Sequence, residues 1–508
     1  MAKRTARIPF PPVRLHPSST VPLHRQLYQQ LRGAILSRAL PGGSRLPSSR
    51  TLAGGLGVSR TTVLAAFDQL LAEGYLDSAV GSGTYVTEAV RGDADGATAL
   101  PRATNDGRAS RAILSRQGER IAQSAIGGFR QDSSPRPFQP GAPAIDRFPV
   151  AVWGRLLGRR WESLPGALFT YHDPAGYLPL REAIAAYLRD ARMMRCDADQ
   201  IVIVAGSQQA LYLIAHLLTD PGDVVWMEDP GYRGARVALL SAGATVTPVP
   251  VDEEGFALDA VATTKPAARL VYVTPSHQFP LGTTMSLRRR LALLEWAARA
   301  SAWVVEDDYS SEYRYAGKPL AAMQGLDRAD RVIYLGTFSK VLFPAIRLGY
   351  LVAPPALVDT FRATRALLDR GSPTLDQAVL ADFIAAGHFD RHIRRMRSLY
   401  ADRQAAILDA CAKELRGLLD VSPCDAGMHV VGWLPERYDD HTVSERAAVQ
   451  GIHAPPLSAY SIRPPQRGAL VLGYTCAPPR SLRAAARRLA GVIARYRIPR
   501  RIARTTAP

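Results

Sequence analysis

A lysine set among small hydroxyl residues follows a β-rich run in the second half of the chain. Lys340 comes directly after Ser339, with Thr337 just before them and Arg347 seven positions further on. A lysine held in a dry pocket at a strand end can lose its proton and form a Schiff base with an aldehyde. Pyridoxal phosphate (PLP) is the usual aldehyde in such sites, and hydroxyl groups with an arginine suit its phosphate. The spacing therefore predicts Lys340 as the attachment point of PLP.

An acid and a phenol end an earlier hydrophobic run and complete this pattern. Asp307 and Tyr309 stand two positions apart after Val304 and Val305, so both side chains point the same way if the strand continues. A PLP site needs a carboxylate on the pyridine nitrogen, because this contact keeps the ring protonated and electron-withdrawing. A phenol near the ring oxygen is also favourable. Asp307 and Tyr309 are therefore predicted to bind the ring.

A glycine-serine turn after the buried run Ile201–Val204 is a candidate phosphate contact. Gly206, Ser207 and Gln208 open an apolar helix. The N-terminus of such a helix presents free N–H groups and the positive end of a dipole. Many α/β proteins carry similar turns without a ligand. Lys340 favours the phosphate interpretation here.

Together these motifs resemble a known class of proteins. Asp-x-Tyr, followed after about thirty residues by Ser-Lys and an arginine, is similar to fold-type I aminotransferases. The fuller strings at 275–282, 306–309 and 336–340 resemble the MocR/GabR-type branch of the GntR transcription regulators. Such proteins join a winged helix-turn-helix to an aminotransferase-like domain. The resemblance implies an α/β fold for that domain, with a mostly parallel sheet in its large part and a smaller α+β C-terminal part.

The resemblance also assigns aromatic and polar residues to the cofactor. Tyr232 stands where the family stacks an aromatic ring on the pyridine. Tyr171 matches a tyrosine that reaches the phosphate of the partner subunit's cofactor, although an interface tyrosine without a ligand is the alternative. His277 and Gln278 stand near the position of an asparagine that bonds the ring oxygen in transaminases. Because the surrounding motif differs from that of transaminases, the roles of His277 and Gln278 stay open.

The substrate arginine of ordinary transaminases has no counterpart at its usual position. In transaminases this arginine stands just ahead of the Leu-Gly of the last strand. This chain has Val471 at that position. The nearest arginines are Arg463 and Arg467 in the preceding loop, and Arg463 is predicted to bind an effector carboxylate. The absence of an arginine at position 471 either argues against ordinary transaminase substrates or means that the corresponding arginine lies in that loop.

The first ninety residues carry a different pattern, which predicts a DNA-binding head. A helix capped by Ser48 ends at Gly57, and a second helix capped by Ser59 follows, which makes a helix-turn-helix. Two short strands around 81–83 then read as a wing. The second helix of such a motif enters the major groove by its N-terminus. The predicted DNA contacts are Arg50, Ser59, Arg60, Thr61, Thr62, Gly81, Gly83 and Thr84.

Composition and charge set limits on the kind of protein. The 508 residues suit two or three domains, and 47% hydrophobic content is ample for large cores. The net charge is +18, yet residues 138–479 are neutral overall, so the positive charge lies at both ends of the chain. Basic ends indicate contact with a polyanion, or they reflect a genome that favours arginine. Four scattered cysteines without paired spacing predict reduced thiols and no metal site. With no apolar run for a membrane span or secretory signal, a cytoplasmic location is expected.

The composition shifts along the chain predict four segments. Residues 1–18 are predicted to be a disordered lead, 19–90 the winged head, 91–137 a flexible linker, and 138–508 the PLP domain. The resemblance implies a homodimer, whose two heads would read a repeated operator. A linker of about forty-five residues spans roughly 35–40 Å as a flexible coil, so the heads could adapt to the operator spacing.

Three functional hypotheses fit this sequence. The first is a PLP-dependent transcription regulator that binds operator DNA and senses PLP, an amine or an amino acid through Lys340. The second is a working aminotransferase with an appended DNA-binding domain. The third is a DNA-binding protein whose second domain holds no cofactor. The winged head favours the first hypothesis, while the intact Lys340, Asp307, Tyr309 and Arg347 allow either of the first two.

Overall fold

The computed structural model describes residues 12–79, 83–88, 114–124, 135–163, 166, 170–263, 266–317 and 320–495. The chain divides into two compact units, Met1–Ile113 and Leu114–Pro508. The division falls inside the segment predicted to be a linker. Within that segment, a helix over Arg116–Ser124 packs on a helix of the second unit, so part of the predicted linker is helical.

The first unit has the element order of a winged helix-turn-helix. Its helices and strands are α1 (Leu23–Leu36), α2 (Ser49–Leu56), α3 (Arg60–Ala72), β1 (Leu76–Ala79) and β2 (Gly83–Val86). Leu27, Leu31 and Ile35 recur every four residues on α1 and pack with Phe67 and Leu70 of α3. This apolar contact holds the helices together, and β1 pairs antiparallel with β2 beside it.

The segment before α1 makes hydrogen bonds to that helix. The N–H groups of Arg14 and His16 donate to the side-chain oxygens of Gln30 and Gln26, at 3.0 and 2.8 Å. Both glutamine amides donate back to carbonyl groups of this segment. Val13 also packs against the core. The disordered lead stays a prediction, but residues 14 and 16 have defined hydrogen-bond partners on α1, because two glutamines replace those a neighbouring strand would supply. Residues 1–11 lie outside the described part of the chain.

The second unit is built on an eight-stranded sheet. Its strands are β3 (Ile201–Val204), β4 (Val224–Asp229), β5 (Thr245–Asp252), β6 (Gly255–Phe256), β7 (Leu270–Val273), β8 (Trp303–Asp308), β9 (Val332–Thr337) and β10 (Gly349–Val352). They lie in the order β3-β10-β9-β8-β7-β4-β5-β6. The neighbours from β9 to β5 pair in parallel, whereas β10 is antiparallel to both β3 and β9. The predicted mostly parallel sheet is confirmed.

Helices cover both faces of this sheet. They are α4 (Arg116–Ser124), α5 (Val150–Glu162), α6 (Leu178–Arg192), α7 (Ser207–Leu218), α8 (Arg233–Ala242), α9 (Leu287–Ala300), α10 (Met323–Leu326), α11 (Val358–Leu368) and α12 (Thr374–Ala385). On β3, Ile203 packs with Leu180 of α6, while Val204 points to the other face and packs with Leu211 of α7. Burial on both faces explains why these strands are continuously apolar.

A smaller α+β part follows. It comprises α13 (His388–Glu414), β11 (Asp420–Val421), β12 (His429–Trp433), α14 (Asp440–Val449), β13 (Ala469–Gly473) and α15 (Pro479–Arg495). Val430 and Leu472 pack with Leu482 and Leu489 of α15. None of the helices in the described ranges is long and apolar enough to cross a membrane. The polar side of α15 exposes Arg480, Arg483, Arg487, Arg488 and Arg495.

Candidate functional sites

Lys340 lies three residues after the end of β9. In space it is close to Gly141, which belongs to the first residues of the predicted PLP domain. The side chain of Lys340 is half-buried, and Nζ donates to the carbonyl oxygen of Gly141 at 3.0 Å. Gly141 has φ +68°, and a Cβ there would lie 3.0 Å from Nζ, so a glycine suits both the backbone and the space. Burial lowers the pKa of Lys340, and the Asp307 carboxylate partly offsets this effect. A lowered pKa favours the uncharged amine that attacks an aldehyde.

Asp307 lies on the neighbouring strand and faces the same cavity. β8 pairs in parallel with β9, so Asp307 lies opposite Leu335 near the carboxyl ends of both strands. The carboxyl group is buried, and its Oδ2 accepts a hydrogen bond from the Tyr272 hydroxyl at 2.7 Å. Burial raises the pKa of Asp307 to about 6, although the Tyr272 hydrogen bond opposes this shift. A cationic partner would stabilise the ionised form.

Tyr309 contributes an unsatisfied phenol. Its hydroxyl is buried and makes no hydrogen bond of normal geometry with the described residues, although the Ser310 side chain is a neighbour that interacts with it. Leaving such a group unpaired costs free energy, so a ligand oxygen or nitrogen beside it is expected.

These residues line one cavity of about 380 Å³. Its polar walls are formed by Arg136, Gln139, Ser207, Tyr232, Arg233, Tyr272, Thr274, Asp307, Tyr309, Thr337, Lys340, His453 and Tyr460. Tyr232 contacts Phe279 edge to face, with 6.0 Å between ring centroids. Burial raises the pKa of Tyr232 to about 12, so its hydroxyl stays protonated at neutral pH.

The N-terminus of α7, which is predicted to bind the phosphate, borders the cavity through Ser207. Gly206 adopts φ +93° and precedes Ser207, so the first N–H groups of α7 are free of helical partners. Arg347 donates to the carbonyl oxygen of Ala205 at 2.6 Å, and its guanidinium would lie about 3.5 Å from a Cβ on Gly206. The helix dipole and this guanidinium both favour an anion at that point.

The remaining predicted phosphate residues lie close to this helix end. Thr337 lines the cavity, and its Oγ1 accepts a hydrogen bond from the N–H of Ser339 at 3.2 Å. Gln208 uses its amide nitrogen to bind the carbonyl oxygen of Gly234 at 3.0 Å, so it couples α7 to α8. Gln208 therefore has a structural contact that the sequence alone did not indicate.

The residues in and around the Lys340 cavity fit PLP. A depressed-pKa amine, a buried carboxylate and an unpaired phenol converge on one cavity, and an anion-binding helix end borders it. These groups match the aldehyde, ring nitrogen, ring oxygen and phosphate of the cofactor.

His277 and Gln278 are not brought to this cavity. The Gln278 amide donates to the carbonyl oxygens of Pro230 and Phe279, both at 2.8 Å. His277 is buried beside His429 behind the wall, and burial lowers its pKa well below the usual range. Phe279 lines the cavity in their place. Their assignment to the cofactor is therefore not supported, because the turn after β7 directs the next residue, Phe279, into the cavity.

Arg463 also lies elsewhere. It borders a separate cavity of about 460 Å³ with Trp433 and Pro464, and its N–H donates to Asp229 at 3.0 Å. The side chain of Arg467 donates to the carbonyl oxygen of Leu434 at 2.8 Å. Neither arginine lines the Lys340 cavity. Two others do, Arg136 and Arg233, which sequence reasoning missed although Arg233 directly follows Tyr232.

Tyr171 is 81% exposed and does not line the Lys340 cavity of its own subunit. The guanidinium of Arg370 lies over its ring at 5.0 Å. An aromatic ring this exposed is available to a second copy of the chain.

In the first unit, the predicted DNA-binding residues gather at two helix N-termini. Ser48 accepts from the N–H of Thr51 and Ser59 from that of Thr62, so both predicted caps form. The Ser59 hydroxyl also bonds the hydroxyl of Thr61 at 2.8 Å, which makes Ser59 an organising residue of the turn. Arg60 is exposed and its Nε donates to Ser49 at 3.3 Å, which links α3 to α2.

Arg50 is exposed at the start of α2. In the wing, Gly83 and Thr84 pair with Ala79 and Ser78. The guanidinium of Arg45, which sequence reasoning missed, lies 5.9 Å above the Tyr85 ring. Gly81 lies outside the described residues.

Both units match known families. Residues 23–86 match bacterial regulatory proteins of the gntR family, and residues 149–488 match aminotransferase class I and II. A probable rhizopine catabolism regulatory protein, MocR, of Rhizobium meliloti is 44% identical over 464 residues, which are 91% of this chain and 92% of the relative. The HTH-type pyridoxine biosynthesis transcriptional regulator PdxR of Corynebacterium glutamicum is 31% identical, covering 88% of this chain and 91% of PdxR.

The aminotransferase-like unit also resembles solved enzymes. Pyrococcus horikoshii kynurenine aminotransferase, in complex with PMP, aligns with 75% of this chain and 95% of its own at a TM-score of 0.66 and 29% identity. Aminotransferases of this class bind PLP, and PLP is the cofactor of this domain. The chain is a transcription regulator and belongs to the MocR/GabR-type branch of the GntR family, in which a winged helix-turn-helix is joined to a class I and II aminotransferase domain.

Proposed function

We propose that this regulator binds operator DNA as a homodimer and that PLP, together with an amine or amino acid in the Lys340 cavity, sets its DNA affinity. The observation that carries the proposal is the convergence of Lys340, Asp307 and the unpaired Tyr309 hydroxyl on one cavity, in a chain that also has a winged helix. A scaffold without a ligand would gain nothing from leaving that phenol unsatisfied.

The residues predicted to bind the cofactor have defined parts in this proposal. Lys340 attaches the cofactor, Asp307 binds its ring nitrogen and Tyr309 its ring oxygen, while Tyr232 covers the ring. The phosphate is bound by the α7 N-terminus, assisted by Thr337, Ser339, Arg347 and the partner's Tyr171. PLP supplies an aldehyde that exchanges between Lys340 and an incoming amine. The unlinked Lys340 amine donates to the carbonyl oxygen of Gly141, so a ligand attached to Lys340 would compete with this hydrogen bond.

A working aminotransferase is the second candidate, and the same intact residues favour it. Against it stands Val471, which is buried in β13 at the position where transaminases carry their substrate arginine. A cytoplasmic location, in which the four free cysteines stay reduced, accompanies either candidate.

A footprint on the DNA upstream of the protein's own gene tests the proposal. The full chain is titrated with and without PLP and a panel of amines and amino acids. We expect a ligand-dependent change in affinity or in the protected bases for the native chain, and none for Lys340→Ala. Identical contacts under all conditions, combined with turnover of an amino donor, would establish the aminotransferase instead.

A further inference from the structure

Two arginines that are not among the predicted cofactor-binding residues line the Lys340 cavity. Arg136 and Arg233 both line it, whereas Asp307 is the single carboxylate among its described lining residues. In the proposed function Asp307 binds the ring nitrogen of PLP, and Arg347 with the N-terminus of α7 binds the phosphate. Apart from Asp307, the charged residues that line the cavity in the described part of the chain are cationic.

Arg233 is the guanidinium best placed to meet a ligand. It is the first residue of α8 and follows Tyr232, the residue predicted to cover the cofactor ring. The side chain is half-buried, and within the described ranges it makes no hydrogen bond or ion pair. Arg236, one turn further along α8, instead donates to the carbonyl oxygen of Ser461 at 3.3 Å. A partly buried guanidinium with five free donors is suited to a carboxylate, which it can bind through two parallel hydrogen bonds.

The positions that the sequence suggested for this role are apolar, occupied or displaced. Val471 is apolar, Arg467 is held by Leu434, and Arg463 borders a different cavity. We propose that Arg233 binds the carboxylate of the effector, so the effector is an amino acid and not a simple amine. This inference rests on the proposed function and narrows the ligand class of the same cavity.

Stable conjugates of the cofactor with three amines test the inference without any turnover. The conjugates carry phosphopyridoxyl groups on L-alanine, on β-alanine and on ethylamine. Both amino acids differ from ethylamine only by a carboxylate, attached at one carbon or the other. Calorimetric titration of the cofactor-free full chain gives a Kd for each conjugate with the native protein, Arg233→Gln, Arg136→Gln and Arg236→Gln.

We expect at least one carboxylate conjugate to bind the native chain about 10- to 100-fold more tightly than the ethylamine conjugate, as for a charge-assisted hydrogen bond. Arg233→Gln should remove most of this preference and leave the ethylamine Kd unchanged. Arg236→Gln, on the same helix, should keep the preference.

Two results overturn the inference while leaving the proposed function intact. One is an equal affinity of all three conjugates for the native chain, and the other is a preference lost in Arg136→Gln but kept in Arg233→Gln. Failure of every conjugate to bind the native chain would instead reject the cofactor site on which both proposals depend.

Discussion

Lys340 is subject to two opposing influences that set its reactivity. Burial disfavours the charged ammonium, while the nearby Asp307 carboxylate favours it, and the net pKa is lowered. Removing the carboxylate should leave burial unopposed and lower the pKa of Lys340 further. We therefore predict that covalent PLP incorporation, trapped with borohydride across a pH series, has its midpoint below the ordinary lysine value of about 10.4. In Asp307→Asn the midpoint moves to still lower pH.

The control for this series is Asp68→Asn, which changes an exposed carboxylate of α3 in the other unit. It should reproduce the native profile. A midpoint that rises in Asp307→Asn would show that the carboxylate does not act on Lys340 as a charge.

A second prediction at this scale concerns the identity of the attachment point. Lys340→Ala should abolish covalent PLP while the protein stays folded, because within the described residues the side chain makes a single hydrogen bond, to Gly141. Borohydride reduction followed by peptide mapping checks this assignment. Label recovered on any other lysine of the native chain would remove Lys340 from the mechanism.

The spacing of residues along the chain was sufficient to predict the site residues that come at the ends of neighbouring strands. Asp307 and Lys340 each come at or just after the carboxyl end of a neighbouring parallel strand, so their approach follows from the sheet itself. Residues contributed by distant loops could not be found in this way. Arg136, Gly141 and Tyr460 reach the cavity only through tertiary packing.

At the scale of elements, the winged head was the most predictable part of the molecule. Its caps at Ser48 and Ser59 and its left-handed glycine at Gly57 are local devices, and each forms as the sequence predicts. The position of β10 between β3 and β9 could not be predicted, because strand order depends on long-range pairing. The hydrogen bonds of Arg14 and His16 could not be predicted for a related reason, since side-chain amides of α1 supply their partners.

The head leads to a third prediction. Arg50→Ala and Arg60→Ala should each weaken operator binding by about 1–3 kcal/mol if the arginine reads a base edge. Gel-shift titration at fixed salt measures the effect, and PLP occupancy should not change. Arg25→Ala serves as the matched control, because Arg25 lies on α1, outside the helix-turn-helix. If Arg50 and Arg60 variants bind like the Arg25 variant, the proposed contact surface is wrong.

At the scale of the whole molecule, the proposed dimer, in which each subunit completes the other's phosphate site, would account for the exposure of Tyr171. We predict that Tyr171→Ala lowers PLP affinity about tenfold, as for loss of a hydrogen bond to a charged group. Mixing Tyr171→Ala subunits with Lys340→Ala subunits should restore one native site per mixed dimer. In that site the lysine comes from one subunit and the tyrosine from the other.

Sedimentation of the mixed sample establishes the dimer, and borohydride trapping counts the restored sites. Trapping that shows no recovery in mixed dimers would place Tyr171 in its own subunit's structure. A monomer at working concentration would exclude the shared site altogether.

The central claim is that the Lys340 cavity and the winged head are energetically coupled, and coupling of this kind is reciprocal. The most direct test is a calorimetric titration of the full chain with a phosphopyridoxyl amino acid conjugate, in the absence and in the presence of saturating operator DNA. We predict that operator changes the Kd of the conjugate by the same factor by which the conjugate changes the Kd of the operator, on the order of 5- to 150-fold. A conjugate Kd that is identical with and without operator would contradict this coupling and leave an aminotransferase domain joined to an independent DNA-binding head.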